Sequence, residues 1–148
     1  MNRERLLKLA VLLESDAKNP NGARFDLETW ASNAQGEADF PSPRQFKKLD
    51  CNTQACAVGL ACLSGIFKKD GLRWTSAPDE NNIVPRFKGK DRFEAVEAFF
   101  DINERESRFL FVAAYYTRDD LSTAGAEGEI AVAKRIRRFV EGTAKAPH

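Results

Sequence analysis

Apolar residues recur at helical spacing near the start of the chain and again in its last third. Leu6, Leu9 and Leu13 share one face of a segment that is otherwise rich in charge, which predicts an amphipathic helix over residues 3–17. The last third predicts a second long helix from Ser122 or Thr123 to Glu141, ended by Gly142. Its inward face is predicted to consist of Val132, Ile136, Phe139 and Val140.

The middle of the chain contains a long run without charge. From Cys51 to Phe67 every residue is apolar, small or uncharged. A helix that is apolar nearly all round is typical of a buried position. The run therefore predicts a buried central helix over residues 53–69, with Asn52 or Thr53 as its cap, Gly71 as its stop, and Leu60, Leu63 and Ile66 in the core.

The segments around this run carry shorter signals. Phe25, Leu27 and Trp30 predict a short helix over residues 25–31, capped by Asp26, and the polar residues 32–50 predict a loop. The alternation in residues 72–75 and 83–87 predicts a β-hairpin. Proline cannot donate to a ladder, so Pro85 predicts an edge position for the second strand.

Two pairs of polar residues have the spacing of a capping box. Asp91 and Glu94 precede an apolar-periodic segment and predict a helix over residues 91–100. Asn103 and Glu106 repeat the spacing and predict another helix after them. With no internal repeat or domain-sized linker, the elements together predict one α+β, mainly α domain over residues 1–148, in which amphipathic helices surround the cysteine-rich helix and a small hairpin, with residues 143–148 frayed.

Composition narrows the classes of partner. The 148 residues are 43% hydrophobic and 30% charged, with a formal net charge of +1, so no global attraction to nucleic acid or to an anionic membrane is expected. No apolar run reaches the roughly 18 residues that a membrane span needs. The basic and then apolar start is interrupted by Lys8 and Glu14, which disfavours a signal peptide. We therefore expect a cytoplasmic protein without a membrane partner.

Clustered cysteines raise the question of a metal site. The spacing of Cys51, Cys56 and Cys62 is C-x4-C-x5-C, and His148 is the one histidine of the chain. Structural zinc needs four converging ligands, whereas a helix would spread these thiols over different faces. We expect reduced cysteines with no metal and no cofactor.

A reactive thiol is the second hypothesis for the cysteines. Cys51 and Cys56 bracket a predicted helix N-terminus, where either pKa can be lowered, and Cys51 is the weak candidate nucleophile. Cys62, predicted to lie in mid-helix, should be the least reactive. The sequence has no nucleophile elbow, no phosphate-binding loop and no Gly-rich dinucleotide turn.

A basic stretch in the last helix is the candidate nucleic-acid contact. Lys134, Arg135 and Arg138 are predicted to face outward, where they would contact phosphates or, as the simpler interpretation, form a solvated helix face. The run 95–111 is similar to a helix-turn-helix. It departs from that motif because Glu97 and Ser107 occupy positions that should be small or apolar.

Two short motifs resemble those of a family of small proteins of unknown function from bacteria and their phages. The first reads W…C-x-T-x-x-C-x-x-G and is carried by Trp30, Cys51, Thr53, Cys56 and Gly59. The second is approximated by Val96, Phe99, Phe100, Ile102, Glu106, Leu110 and Phe111. Asn52 and Asp101 stand where the pattern expects glycine, which puts the exact helix caps in doubt. The resemblance implies no known activity, only a context in which such proteins often bind a host factor.

Three functional hypotheses remain open. The first is a non-enzymatic binding or accessory protein, such as a phage-type modulator of a host protein, with a protein partner and with Trp30, Cys51 and Thr53 as binding candidates. The second is a nucleic-acid-binding protein that uses Lys134, Arg135 and Arg138. The third is a thiol-dependent or carboxylate-dependent enzyme that acts on a small molecule.

Overall fold

Two long helices from opposite ends of the chain pack antiparallel against each other. A computed structural model of the protein describes residues 1–20, 23–33, 53–77 and 82–147. Helix α1 spans Arg3–Lys18 and helix α6 spans Gly125–Glu141. Near the start of α1, Arg3 Nη1 donates a hydrogen bond to the Val140 carbonyl at 3.4 Å. Both predicted helices are confirmed, although α6 begins two or three residues later than predicted.

Opposite charges and a pair of like acids cross this helix interface. Arg137 donates two hydrogen bonds to the Glu14 carboxylate, at 2.8 and 2.6 Å, and the Arg137 guanidinium lowers the pKa of Glu14. Further along, Asp16 and Glu129 are 7% and 2% exposed and are hydrogen-bonded to each other. Burial, reinforced by Asp16, raises the pKa of Glu129 to about 10. Glu129 is therefore protonated at neutral pH.

Four shorter helices complete the helical part of the described chain. Helix α4 (Glu104–Phe111) begins with the predicted capping box, in which the Glu106 N–H donates to Asn103 Oδ1 and the Asn103 N–H donates to Glu106 Oε1, each at 2.9 Å. The box predicted at Asp91 and Glu94 is wrong, because Asp91 makes no side-chain bond to the helix backbone and instead accepts from Arg92 at 3.2 Å. These helices are α2 (Ala57–Ser64), α3 (Arg92–Phe100), α4 (Glu104–Phe111) and α5 (Ala114–Thr117).

A small mixed sheet lies against the helices. Its strands are β1 (Arg24–Phe25), β2 (Ala31–Asn33), β3 (Thr53–Ala55), β4 (Arg73–Ala77), β5 (Asn82–Phe87) and β6 (Lys90–Asp91). Their order is β1-β3-β2-β5-β4, with β6 also paired to β5. The pair β1–β3 is parallel and the others are antiparallel. The predicted α+β, mainly α class is confirmed.

The predicted hairpin is present, but its second strand is not at an edge. Strand β5 has β4 on one side and both β2 and β6 on the other. On that second side β2 is in register with residues 82 and 83, and β6 with residues 86 and 87. Pro85 falls in the gap between these two partners, so its missing N–H costs no ladder bond there.

The central helix is shorter than predicted. Thr53–Ala55 forms strand β3, and α2 runs only from Ala57 to Ser64. Gly65 ends it in the left-handed conformation, with φ 73°, and a separate 3-10 turn covers Lys68–Asp70. Leu60 and Leu63 are buried as predicted, whereas Ile66, beyond the helix end, is only half-buried. An uncharged run suits a buried strand as well as a buried helix, so periodicity alone does not locate the change between them.

The helix predicted over residues 25–31 is also wrong. Phe25 belongs to β1 and Ala31 begins β2. Asp26 does cap a turn, since its carboxylate accepts from the Glu28 N–H at 2.9 Å, but no helix follows. Of the predicted loop, residues 32 and 33 belong to β2, and residues 34–50 lie outside the described residues.

Phenylalanines dominate the centre of the hydrophobic core. The Phe99 ring meets the rings of Phe67, Phe87 and Phe100 edge to face, with centroid distances of 4.9, 5.2 and 4.9 Å. Arg5 reaches in from α1, with its guanidinium 4.3 Å from the Phe99 ring centroid and a 2.8 Å hydrogen bond to the Phe99 carbonyl. Nowhere in the described ranges does a helix combine the length and apolar character needed to cross a bilayer.

Candidate functional site

Residues of the first sequence motif form the junction between β2 and α2. The Cys56 N–H donates to the carbonyls of Thr29 and Trp30, at 2.8 and 3.1 Å. A Cβ atom on Gly59 would lie 1.5 Å from the Trp30 carbonyl oxygen. Glycine is therefore required for α2 to approach this backbone. Of the other motif residues, Thr53 is buried in β3, and Cys51 lies outside the described residues.

An open cleft of about 440 Å³ lies directly beside this junction. Trp30 and Phe93 are both half-buried, and their rings are in contact, with centroids 4.9 Å apart and planes tilted by 58°. We call this site the Trp30 cleft. Its described lining is mostly apolar and consists of Leu27, Glu28, Thr29, Trp30, Cys56, Phe93, Phe111, Val112, Ala113 and Ala114.

Backbone hydrogen bonds fix the two chain segments that form the walls. On one side, the Leu27 N–H donates to the Thr123 carbonyl at 2.9 Å, which ties residues 27–30 to the start of α6. On the other side, Val112 ends α4 in an extended conformation. The Tyr116 hydroxyl donates to the Leu110 carbonyl at 2.7 Å and so holds the connection between α4 and α5. The cleft is thus built on anchored backbone.

The Cys56 thiol is part of the lining and is protonated at neutral pH. Its Sγ accepts a hydrogen bond from the Gly59 N–H at 3.4 Å, as the cap of α2. Burial nevertheless raises the pKa of Cys56 to about 11. The hypothesis of a lowered pKa at this helix N-terminus is wrong for Cys56, because desolvation outweighs the helix N–H groups. Cys62 is also free and buried, and burial raises its pKa as well.

Charge in the described lining of the cleft comes from one side chain. Among the described lining residues, Glu28 alone carries a charge, and it is exposed. Its carboxylate has no ion-pair partner within the part of the chain that the structure describes.

No cluster of metal-binding side chains is found in the described ranges. No three side chains of Asp, Glu, His or Cys there lie close enough together to hold a metal ion.

The predicted basic face is divided by the structure. Lys134 and Arg138 are exposed, as predicted, but Arg135 is only 8% exposed. Its guanidinium lies between the rings of Phe109 and Tyr116, 4.4 and 3.8 Å from their centroids. The outward placement predicted for Arg135 is therefore wrong. Helical spacing contained the signal, because residue 135 lies three after Val132 and four before Phe139, both of which face inward.

The run 95–111, which is similar to a helix-turn-helix, lies in helices α3 and α4. A polar contact between these helices takes the place of the apolar contact that the motif would have. Residues 101–103 join the two helices. Ser107 is fully buried, and its hydroxyl donates to Glu97 Oε2 at 2.9 Å. The two polar residues that depart from the motif thus satisfy each other.

The cleft brings together residues that sequence reasoning only partly selected. Trp30 was a binding candidate, whereas Glu28 and Phe93 were not. Helical periodicity assigned Phe93 to the same face as the buried Val96 and Phe100, and that pattern does not separate core from cleft. Comparison of the chain with protein-family models, curated proteins and solved structures finds no match.

Proposed function

We propose that this is a non-enzymatic binding protein that receives an apolar side chain of a protein partner in the Trp30 cleft. The observation that carries the proposal is the half-exposed Trp30–Phe93 ring pair in a mostly apolar cleft. Large aromatic side chains in pockets supply most of the binding energy at protein interfaces. A volume of about 440 Å³ accommodates one large side chain with part of its backbone.

The chemistry of the lining favours binding over catalysis. The pKa of Cys56, about 11, leaves almost no thiolate to act as a nucleophile at neutral pH. Glu28 is the one acid of the described lining, and no basic side chain lines the cleft with it. Fixed aromatic rings on anchored backbone are, in contrast, what a preorganised recognition site needs.

The motif resemblance extends the proposal to a biological context. The Trp30, Cys56 and Gly59 positions resemble those of small bacterial and phage proteins. In that context the partner would be a host protein, and this chain would modulate it.

The proposal is tested with a small neutral probe of an apolar side chain. We expect N-acetyl-phenylalanine amide, titrated into protein labelled with ¹⁵N, to shift the Trp30 indole resonance, assigned with a Trp74→Phe variant. The amides of residues 27–30 and 112–114 should shift with it, because they line the same cleft. Ala114→Trp should abolish these shifts, since Ala114 is an exposed lining residue and a large side chain there fills the cleft without removing core packing.

The matched control lies on another surface. Val11 on α1 is 52% exposed, so Val11→Trp adds the same side chain away from the cleft. It should leave the titration unchanged. Shifts that are absent at Trp30, or that Val11→Trp removes as effectively as Ala114→Trp, would contradict the proposed site.

A further inference from the structure

We infer that the Trp30 cleft selects a partner segment in which a basic side chain stands next to the apolar anchor. The inference rests on the proposed function and adds the charge of the partner. It is drawn from the position of Glu28 at the aromatic cleft and from the way neighbouring charges are used.

Glu28 places an acid at the cleft. The Glu28 side chain is exposed and lines the cleft, and no cation of the described chain engages it. Its backbone is held, because the Glu28 N–H donates to Asp26 Oδ1 at 2.9 Å. A carboxylate carried on a held backbone beside a cavity favours a positively charged group of the ligand.

The Trp30–Phe93 ring pair is a second feature of the cleft that attracts a cation. Trp30 and Phe93 present partly exposed rings to the same cleft as Glu28. The face of an aromatic ring attracts a cation, and tryptophan does so most strongly. This protein already uses such contacts elsewhere, as Arg5 does over Phe99 and Arg135 over Tyr116. An ammonium or guanidinium group in the cleft would lie near both a carboxylate and two aromatic rings.

The basic residue nearest in sequence to the ring pair is Arg92, and it does not supply a positive charge to the cleft. Arg92 precedes Phe93, and its guanidinium is bonded to the Asp91 carboxylate at 3.2 Å. Arg92 does not line the cleft. The described lining thus has an acid without an opposing base, and its charge complements a basic ligand rather than an acidic one.

Three capped dipeptides with the same aromatic anchor test the inference. They are acetyl-Phe-Lys-amide, acetyl-Phe-norleucine-amide and acetyl-Phe-Glu-amide, titrated against the Trp30 indole resonance at low salt. We expect the lysine probe to bind about two- to fivefold more tightly than the norleucine probe, the range that an exposed cation contact supplies. The glutamate probe should bind most weakly, and added salt should reduce the differences.

Matched variants identify the carboxylate. Glu28→Gln should reduce the preference for the lysine probe over the norleucine probe to the part that the aromatic rings supply, whereas Glu127→Gln, at an exposed position on α6, should leave their ratio unchanged. Amide spectra of both variants verify the fold. Equal affinity for all three probes in the unaltered protein overturns the charge selection and leaves the proposed function standing. The absence of any shift at Trp30 with all three probes overturns both.

Discussion

The Arg135 guanidinium lies 3.8 Å from the centroid of the Tyr116 ring and 2.9 Å from the Asp119 carboxylate. It also donates to the carbonyls of Phe109 and Tyr115, at 3.1 and 3.0 Å. One side chain of α6 therefore holds the end of α4 and the middle of α5, beside the wall of the Trp30 cleft that Phe111 to Ala114 form. Arg135 was predicted to be a surface residue, but it is buried and connects α6 to α4 and α5.

Replacement of Arg135 should destabilise the fold. Arg135→Glu buries an acid close to Asp119 and should cost about 3 kcal/mol or more of unfolding free energy. The charge-matched control is Arg138→Glu, which should change stability by about 0.5 kcal/mol or less because Arg138 is exposed. Urea unfolding measures both. If Arg135→Glu fails to fold, Arg135→Met should still fold with a loss of about 1–3 kcal/mol. Equal effects of Arg135→Glu and Arg138→Glu would contradict the buried placement.

The glycine at the β2–α2 junction should tolerate no side chain. In Gly59→Ala the new Cβ would stand 1.5 Å from the Trp30 carbonyl oxygen, so strand and helix must separate. We expect a loss of about 3 kcal/mol or more, measured by thermal and urea unfolding. Gly89→Ala is the control: its φ is 79°, but a Cβ there has no neighbour within 4 Å, and the cost should be about 1 kcal/mol. A Gly59→Ala protein as stable as the Gly89→Ala protein would show that α2 is not packed this tightly.

The cysteines should differ in their reactivity. Under native conditions Cys56 and Cys62 should label slowly with a thiol reagent, because both are buried and their pKa values are raised. The rate at Cys56 should keep rising up to pH 10, in line with a pKa of about 11, whereas an ordinary thiol levels off near pH 9. Cys51 is still predicted to be labelled fastest of the three cysteines. Mass spectrometry of the labelled peptides measures the order of the three labelling rates. Cys56 labelling ahead of Cys51 would return the thiol-enzyme hypothesis to the cleft.

The buried acid pair predicts a particular dependence of stability on pH. The folded pKa of Glu129 is about 10 and its ordinary value is 4.5, so the unfolded state loses the proton first as pH rises. The stability associated with this proton is therefore fully present below about pH 4.5 and is lost progressively up to about pH 10, by at most about 1.4 kcal/mol per pH unit. Glu129→Gln should remove this component, so that the variant gains stability relative to the unaltered protein between pH 6 and 9. Parallel stability curves for the two proteins would contradict the raised pKa of Glu129.

Sequence reasoning succeeded where the determinants of structure are local. The helical spacing of Leu6, Leu9 and Leu13 and the capping box of Asn103 and Glu106 each act within a turn or two of the chain. Both structures form as predicted, as do the long α6 and the β4–β5 hairpin.

It failed where the determinants are distant in sequence. Thr53–Ala55 is a strand because it pairs with β1 and β2, whose paired residues lie 20 to 30 positions earlier. Nothing within its own few residues distinguishes that strand from the helix that follows. The Trp30 cleft has the same character, because Glu28 and Phe93 meet only after the sheet and α3 have packed.

The antiparallel pair of α1 and α6 has a consequence for how the chain acquires its structure during synthesis. Glu14 and its partner Arg137 are 123 positions apart, so the ribosome makes α1 long before the helix that covers it. The leucines of α1 that are buried in the folded protein therefore lack their contacts with α6 while most of the chain is synthesised. Contacts of such long range slow folding and leave apolar surface open to association with other molecules in the interval. A nascent chain stalled before α6 emerges would accordingly be a ready client for chaperones, and one released after α6 would not.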